Sequence, residues 1–280
     1  MTPEILLDSP TYFGGKGAAG VVHRIIQQVP RHDVFVSGFL GQCAVLRHIR
    51  PAARRIGVEL DPAVIALWTA ARCPDGAPPA GLEIVPGDFL TLDLPELWQP
   101  STFVYLDPPY LHETRSSRTR YRFELTTAQH RQLLDKVRAL PCRVALSCYD
   151  SGLYRAALVG WRRIQFPSQS RGGPRLETLY LNYPEPAPDD LHDPRFSGDN
   201  FRAREKSKRR LDTIFRKIGN LTGTEQAALL DRLAHLVASR QPAMAAGIAR
   251  SGEPDRSASL APSGGAGSTP ANKTLNLCDK

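Results

Sequence analysis

Short apolar runs rich in β-branched residues alternate with segments of helical periodicity from about residue 33 to residue 166. The runs lie at 34–36, 56–59, 82–85, 102–106 and 143–146. Helices are predicted around them at 17–29, 42–49, 62–72, 127–140 and 151–159, several of them opened by Pro, Thr or Ser. This alternation predicts an α/β fold with a Rossmann-like, doubly wound sheet whose mostly parallel strands are covered by helices on both faces.

Two more strands are predicted at the end of this region, at 161–166 and 178–183. The segment between them, 167–175, is rich in Gly, Pro and Arg, which is typical of a turn between antiparallel strands. We therefore expect an antiparallel hairpin to close the sheet and one domain to extend over 1–185. Residues 186–200 are predicted to form a linker because Pro and Asp dominate its first half.

The composition changes again in the last third of the chain. Residues 201–219 are predicted to form a basic helix, since apolar residues recur at i, i+3, i+4 and i+7 from Leu211. A second helix is predicted to be capped near Thr224 and to pack against the first, giving a basic helical hairpin over 201–240. Residues 241–280 contain no aromatic side chain and are rich in Ala, Ser, Gly and Pro, so we expect them to be disordered.

Composition restricts the class of protein. The chain has 280 residues, 41% of them hydrophobic, with 36 Lys and Arg against 28 Asp and Glu, a formal charge of +8. No apolar run approaches the roughly eighteen residues that cross a bilayer, and the amino terminus resembles no secretory signal, so we expect a cytoplasmic protein without membrane association. The five cysteines lack CxxC spacing, which argues against disulfides and against a metal site. The basic excess favours a polyanionic partner.

The most specific feature is the sequence Asp107-Pro108-Pro109-Tyr110, directly after a predicted strand. Open α/β sheets bind ligands at the carboxyl ends of their strands. Alkylation of an aromatic amine needs hydrogen-bond acceptors, because charge develops on a nitrogen whose lone pair is delocalised into the ring. Asp107 offers a carboxylate, Pro108 offers a carbonyl, and Tyr110 offers a flat face on which an extruded base can stack. We expect these four residues to be catalytic; an ordinary capping loop is the alternative.

Candidates for a methyl-donor site lie at other predicted strand and helix ends. They are Tyr12, Gly15 and Lys16 before the first helix, Phe39 and Gly41 after the first strand, Glu59 ending the second, and Asp88 and Phe89 after the third. The glycines allow close backbone approach, and Lys16 can reach a carboxylate. A carboxylate such as Glu59 commonly accepts both ribose hydroxyls of a nucleoside cofactor, while Asp88 can bond its adenine and Phe89 can pack on it. Each feature alone is more often structural, but together they favour a cofactor site.

In this order, the motifs resemble those of bacterial and phage DNA adenine methyltransferases of the Dam-like family. The resemblance covers about residues 11–184. It implies transfer of a methyl group from S-adenosylmethionine to the exocyclic amino group of adenine in double-stranded DNA. It also implies that Tyr12 contacts the cofactor, that Lys16 lies beside its methionine part, that Glu59 binds its ribose, and that residues 107–110 form the catalytic loop.

The chain departs from this family in three places. Ser37 stands where the family has an acidic residue, and Cys43 stands where it has a glycine. Both changes bear on cofactor affinity, and Gly38 is expected to restore the backbone freedom lost at Cys43. The third departure is that only 18 residues separate Asp88 from Asp107, where the family carries its target-recognition domain. DNA must therefore be read by other parts of the chain.

Three basic segments are candidates for that contact. Residues 111–122, 162–175 and 201–219 carry net charges of +3, +4 and +6, so the rest of the chain is acidic. Arginine grips phosphate bidentately or reads guanine. The helix at 201–219 is equally suited to bind another protein. The candidate DNA contacts are Arg115, Arg118, Arg120 and Arg122 after the catalytic loop and Arg171 and Arg175 in the hairpin.

Two alternatives stay open at this point. Methylation of the cytosine amino group or of an RNA base would use a similar loop and the same cofactor. A catalytically degenerate DNA-binding protein would account for Ser37 and Cys43. The sequence does not determine the oligomeric state.

Overall fold

The computed structural model describes residues 5–8, 20–114, 122–170, 173–196, 198 and 201–250 of the chain. The strands are β1 (Val34–Ser37), β2 (Arg54–Glu59), β3 (Leu82–Pro86), β4 (Thr102–Leu106), β5 (Arg143–Tyr149), β6 (Arg162–Ser170) and β7 (Gly173–Leu181). The helices are α1 (Val21–Ile26), α2 (Ala44–His48), α3 (Pro62–Thr69), α4 (Thr127–Ala139), α5 (Gly152–Ala157), α6 (Phe201–Gly219) and α7 (Gly223–Arg250). The described strands form a seven-stranded sheet in the order β3-β2-β1-β4-β5-β7-β6.

The direction of the strands defines the fold class. Five of them, from β3 to β5 in the sheet, run parallel, while β7 and β6 close the sheet as an antiparallel hairpin. This confirms the predicted Rossmann-like, doubly wound α/β fold. The strand order reverses between β1 and β4, and ligands of open α/β sheets bind outside the carboxyl ends of the strands at such a reversal. Ser37 of β1 pairs with Tyr105 of β4, so both strands end at nearly the same level.

Helices cover both faces of the sheet because side chains alternate along each strand. Phe35 of β1 belongs to the hydrophobic cluster on one face, together with Ile25 of α1 and Trp68 of α3. Val36, the next residue, belongs to the cluster on the other face, together with Leu133 of α4. Full burial of a large apolar side chain stabilises the fold by about 1.5–3 kcal/mol. These two layers hold the strand ends in fixed positions around the crevice.

Two of the helices begin at the crevice with side-chain caps. The Asp61 carboxylate accepts the Ala63 backbone N–H at 2.9 Å and caps α3, which has Pro62 in its first turn. Thr126 and Gln129 form a capping box at the start of α4. The capping residues predicted for this part of the chain are therefore used, and they orient the helices toward the crevice.

The closing hairpin is longer than the sequence predicts. β6 and β7 pair continuously from Arg162 with Leu181 to Ser170 with Gly173. The sequence predicts a connection over the Gly/Pro/Arg-rich segment 167–175, but most of this segment extends the two strands. Backbone pairing overrides its composition because each added residue pair contributes to the same ladder.

The segment predicted as a linker, 186–200, does not lie free of the sheet domain. His192 and Asp193 are 4% and 1% exposed. The Asp193 carboxylate accepts the Arg50 backbone N–H at 2.7 Å and two bonds from the Arg195 side chain at 2.6 and 2.8 Å. The His192 ring stacks on the His32 ring with centroids 3.7 Å apart. Polar residues of this kind are typical of a solvated linker, but here they bind the segment to the sheet domain.

The chain divides into two compact units, residues 1–211 and 212–280, with the boundary inside α6. The bounds of α6 are those that the apolar periodicity predicts. Apolar side chains of the second unit are exposed, with Ile214 at 43%, Phe215 at 69% and Leu230 at 68%. The described residues therefore do not show the burial of apolar faces that a packed helical hairpin predicts.

The second long helix starts earlier and ends later than the sequence predicts. Thr222 and Glu225 cap α7 reciprocally, with the Thr222 N–H 2.8 Å from the carboxylate and the Glu225 N–H 3.4 Å from the hydroxyl. The helix continues to Arg250, so residues 241–250 are helical where disorder is predicted. The rest of the predicted disordered tail, 251–280, lies outside the described residues. Among the described helices, none is both long and apolar enough to cross a membrane.

Candidate active site

A cavity of about 410 Å³ lies in the crevice at the carboxyl ends of β1, β2, β3 and β4. This volume fits a small organic ligand or cofactor. All predicted cofactor-binding residues in the described part of the chain line this cavity. Two of the four predicted catalytic residues line it as well. Its lining includes Phe39, Gly41, Glu59, Asp88, Phe89, Asp107 and Pro109. The remaining cofactor candidates, Tyr12, Gly15 and Lys16, lie outside the described residues.

Two glycines shape the loop after β1, each for a different physical reason. Gly41 has φ of 43°, in the left-handed region that favours glycine. Gly38 is outside that region, but a Cβ there would lie 2.4 Å from Leu106 Cδ2 and 2.6 Å from Phe89 Cδ2. Gly38 is therefore required for close approach of the loop to its neighbours. The sequence predicts that Gly38 restores backbone freedom lost at Cys43. This prediction is wrong, because Gly38 does not adopt a left-handed φ.

Cys43 stands where the family that the sequence motifs resemble has a glycine, and its position does not require one. Its φ is −37°, and its sulfur accepts the Leu46 N–H at 3.4 Å, which caps α2. Burial, with the Asp107 carboxylate acting in the same direction, raises the pKa of the Cys43 thiol to about 11. The thiol is therefore neutral at pH 7. Ser37, the other departure, is fully buried below the crevice.

Glu59 holds the cavity wall together through its carboxylate. Oε2 accepts the Gly41 N–H at 2.8 Å, and Oε1 accepts the N–H groups of Leu60 and Asp61, each at 2.8 Å. The Trp68 indole N–H donates to the Gly41 carbonyl at 2.6 Å and fixes that residue from its other side. A carboxylate offers about four acceptor positions, so three bonds leave about one for a ligand.

Asp88 and two phenylalanines form the opposite part of the lining. Asp88 Oδ1 accepts the Leu90 N–H at 2.9 Å, which folds the turn after β3 and keeps the carboxylate at the cavity. Phe89 is only 1% exposed, so it is part of the cavity floor and of the hydrophobic core at once. The Phe39 ring lies above it with centroids 5.8 Å apart. Of the two rings, Phe39 is the more accessible to a ligand.

Lys136 of α4 fixes this turn and was not anticipated from the sequence. Its ammonium donates to the carbonyl oxygens of Phe89 at 2.7 Å and Leu92 at 2.5 Å, and lies 5.1 Å from the Phe89 ring centroid. Burial lowers the pKa of Lys136. No local pattern marks this residue, because its partners are distant in sequence and meet it only through packing of α4 on the sheet.

The catalytic-loop candidates occupy different environments. Asp107 is partly exposed and lines the cavity with Pro109, while Pro108 is buried. Tyr105, the last but one residue of β4, is buried below them, and its hydroxyl lies 3.1 Å from Ser147 Oγ on β5. The carboxylate of Asp107 is thus presented to the cavity from the end of a strand that is hydrogen-bonded on both sides.

Tyr110 does not present the open flat face that the sequence predicts. The side chain is 7% exposed, and its ring meets the Tyr149 ring edge-on, with centroids 4.6 Å apart at 71°. Its hydroxyl donates a hydrogen bond to Glu177 of β7, which is 2% exposed. Tyr110 is therefore an anchor of the loop in this structure, because its side chain is almost fully buried and its hydroxyl is hydrogen-bonded.

Arg122, a predicted DNA contact, lies on the cofactor side of the loop. It lines the 410 Å³ cavity and pairs with Asp61 at 3.1 Å, with its own side chain 67% exposed. A pair this exposed contributes about 0–1 kcal/mol, so it does not lock the arginine in place. The other arginines predicted to contact DNA on this segment and at the hairpin turn, Arg115, Arg118, Arg120 and Arg171, lie outside the described residues.

A second cleft, of about 520 Å³, opens on the Tyr149 side of the loop. Asp150 in this cleft accepts a hydrogen bond from Arg155 at 2.5 Å and lies 3.5 Å from Arg163. Arg175 lines the cleft, and its side chain forms no hydrogen bond or ion pair with the described residues. The other described residues that line this cleft are Glu113, Thr114, Tyr149, Ser151, Gly152 and Leu176. The described residues contain no group of three or more His, Cys, Asp or Glu arranged to hold a metal ion.

Comparison with known proteins gives matches in structure alone. No protein-family model matches the chain, and no curated protein matches its sequence. An rRNA methylase from Streptococcus thermophilus superposes with a TM-score of 0.39 at 9% identity, covering 57% of this chain and 93% of the methylase. A dimethyladenosine transferase from Plasmodium falciparum gives 0.38 at 13% identity, covering 63% of each chain. A Streptococcus mutans protein described as a methyltransferase, in complex with SAH, gives 0.36 at 10% identity, covering 57% and 94%. Similarities this low carry no information on reaction or substrate.

Proposed function

We propose that the protein is an S-adenosylmethionine-dependent methyltransferase that acts on the exocyclic amino group of adenine in DNA. One observation carries the proposal: a single cavity joins Glu59 and Asp88, carboxylates suited to a nucleoside, to Asp107, a carboxylate suited to an amine. The cavity lies at the strand-order reversal, where this fold binds ligands.

The described residues fit the cofactor in shape and in hydrogen-bonding chemistry. Absence of a Cβ at Gly38 and the left-handed turn at Gly41 keep the loop after β1 close to β4 and leave room above it. Glu59 has an acceptor position left for a ribose hydroxyl, Asp88 can bond an adenine edge, and Phe39 offers an aromatic face. S-adenosylmethionine would supply an electrophilic methyl group on a sulfonium.

Asp107 would act on the amine. Its carboxylate can accept a hydrogen bond from the amino group, and the carbonyl of Pro108 can accept a second one while positive charge develops on the nitrogen. The two prolines restrict the backbone between these acceptors. Alignment and charge stabilisation are the contributions of this loop, and the amine proton leaves to water after transfer.

Double-stranded DNA is proposed as the partner, approaching from the second cleft. That cleft is lined by Glu113 and Thr114, which lie three and four residues after Tyr110, and by Arg175, whose side chain has no ion-pair partner among the described residues. In the sequence, the arginine-rich segment 115–122 begins directly after Thr114, and the segment 171–175 ends at Arg175. A guanidinium without a protein partner is suited to a phosphate oxygen.

The test is incubation of the protein with labelled S-adenosylmethionine and duplex DNA of varied sequence, followed by nucleoside analysis. We expect N6-methyladenine, and we expect Asp107→Ala to lower the rate by about 100-fold or more. Asp135→Ala, a change at a highly exposed carboxylate on α4, is the matched control and is expected to be neutral. If the label appears in cytosine or in RNA, the substrate is that base and not adenine in DNA. If the protein binds DNA but neither binds the cofactor nor transfers the label, it is a catalytically degenerate DNA-binding protein.

A further inference from the structure

Glu177 of β7 is a carboxylate buried at the back of the catalytic loop. It is 2% exposed, accepts the Tyr110 hydroxyl, and lies 3.4 Å from the Ser168 hydroxyl. Strand pairing sets it opposite Tyr149, whose ring contacts the ring of Tyr110. The closing hairpin therefore contacts the loop through a buried hydrogen bond.

Burial of a carboxylate is unfavourable unless hydrogen bonds compensate it. An apolar residue would fill this position in the sheet at lower cost, and the proposed chemistry gives Glu177 no role with the substrate or the cofactor. Burial and the neighbouring carboxylates of Asp107 and Glu177 raise the pKa of Tyr110 well above its ordinary value, so the phenol stays protonated and remains a donor. The pair is thus a permanent donor–acceptor contact between the loop and the hairpin.

Because the loop is short and stiff, the contact between Tyr110 and Glu177 also affects the position of Asp107. Asp107 follows β4 immediately, and Pro108 and Pro109 each restrict φ to near −65°. Few backbone rotations therefore separate the end of β4 from Tyr110. Movement of Tyr110 would be transmitted to the Asp107 carboxylate and the Pro108 carbonyl, because the short stiff segment cannot absorb it.

We propose that Glu177 is a positioning residue that fixes the Asp107–Tyr110 loop through the Tyr110 hydroxyl. The catalytic meaning of that position rests on the proposed function, whereas the anchoring itself does not. In this proposal Glu177 acts through Tyr110.

The test compares variants that keep or remove the acceptor. Glu177→Gln keeps an oxygen that accepts the phenol hydrogen, and we expect kcat within about 3-fold of wild type. Glu177→Leu and Tyr110→Phe each remove the contact, and we expect kcat to fall about 30-fold or more, with the Kd for S-adenosylmethionine changed less than about 3-fold. The double variant should be no slower than either single one, because both remove the same contact.

Thr178→Val is the matched control, since Thr178 is the next residue of β7, fully buried, and bonded to Gln165 rather than to the loop. It should leave kcat unchanged. Unchanged kcat in Glu177→Leu and Tyr110→Phe, or losses that add in the double variant, would overturn the proposal.

Hydrogen exchange of the peptide spanning residues 106–114 separates this inference from the proposed function. Glu177→Leu and Tyr110→Phe should exchange this peptide faster than wild type, while Glu177→Gln and Thr178→Val should not. If wild type methylates nothing yet this pattern appears, the proposed function fails and the anchoring stands. If the peptide exchanges at the same rate in all variants, Glu177 does not anchor the loop, whether or not the protein is active. Should Glu177→Leu fail to fold, the exchange rate of Tyr110→Phe alone decides between these outcomes.

Discussion

The Gly41 N–H donates to Glu59 Oε2 over 2.8 Å, which joins the loop after β1 to the end of β2 in the cavity wall. Glu59 therefore both holds this loop and offers its remaining acceptor position to a ligand. Most of the cavity wall on this side depends on that one carboxylate, because the same group also accepts two further backbone N–H groups.

Glu59→Ala is expected to weaken S-adenosylmethionine binding by about 10- to 100-fold. Hydrogen bonds to a charged group contribute about 1.5–3 kcal/mol, and this change removes both the ligand acceptor and the support of Gly41. Titration calorimetry measures the Kd. Glu96→Ala, at an exposed position away from the cavity, is the control; a Kd for Glu59→Ala within 2-fold of wild type would contradict the assignment.

Gly38→Ala is expected to destabilise the fold by about 1–3 kcal/mol and to weaken cofactor binding. The added Cβ would lie 2.4 Å from Leu106 and 2.6 Å from Phe89, so β4 or the cavity floor must shift. Gly152→Ala is the matched control, because a Cβ there meets nothing within 4 Å, and it should change stability by less than about 0.5 kcal/mol. Urea unfolding measures both variants, and equal stability of the two would refute the steric argument.

The sequence pattern predicts that the strand ends meet around the cavity, but it does not predict how buried each site residue is. Glu59, Asp88 and Asp107 each end or follow an apolar run, and parallel strands bring such positions to one edge. The burial of Tyr110 has no such signal, because its partner Glu177 is 67 residues away on an antiparallel strand. The register of that strand depends on tertiary packing, which periodicity does not report.

Acidification is expected to destabilise the protein through the stacked pair of His32 and His192. Burial, followed by the neighbouring His192, lowers the pKa of His32 from 6.5 to about 3, and burial also lowers the pKa of His192. The unfolded chain takes up these protons near pH 6.5 and the folded chain does not, so the unfolding free energy falls as the pH drops below about 6.5. The decrease is at most about 1.4 kcal/mol per pH unit for each histidine.

Urea unfolding between pH 7.5 and 4.5 measures this effect. His32→Phe should flatten the decrease in part, because it removes one titrating group of the stacked pair while placing a ring among Phe35 and Phe103. The rest of the decrease comes from His192 and from His23, whose pKa burial also lowers. Asp193, whose pKa is lowered from 3.8, affects stability only at the acid end of the range. An unfolding free energy that stays constant from pH 7.5 to 4.5 would show that the histidines are protonated in the folded protein.

Arg175 and Arg122 lie in different clefts, so we expect their substitution to affect different ligands. The Arg175 side chain lines the second cleft without a partner among the described residues, whereas Arg122 lines the 410 Å³ cavity and pairs with Asp61. If DNA lies in the second cleft, Arg175→Ala should lower DNA affinity and reduce the slope of log K against log salt by about one, as expected for loss of one phosphate contact. Arg122→Ala should leave that slope unchanged and alter the Kd for S-adenosylmethionine. Gel retardation at several salt concentrations gives both slopes, and a larger effect of Arg122 than of Arg175 would assign the DNA to the other side of the catalytic loop.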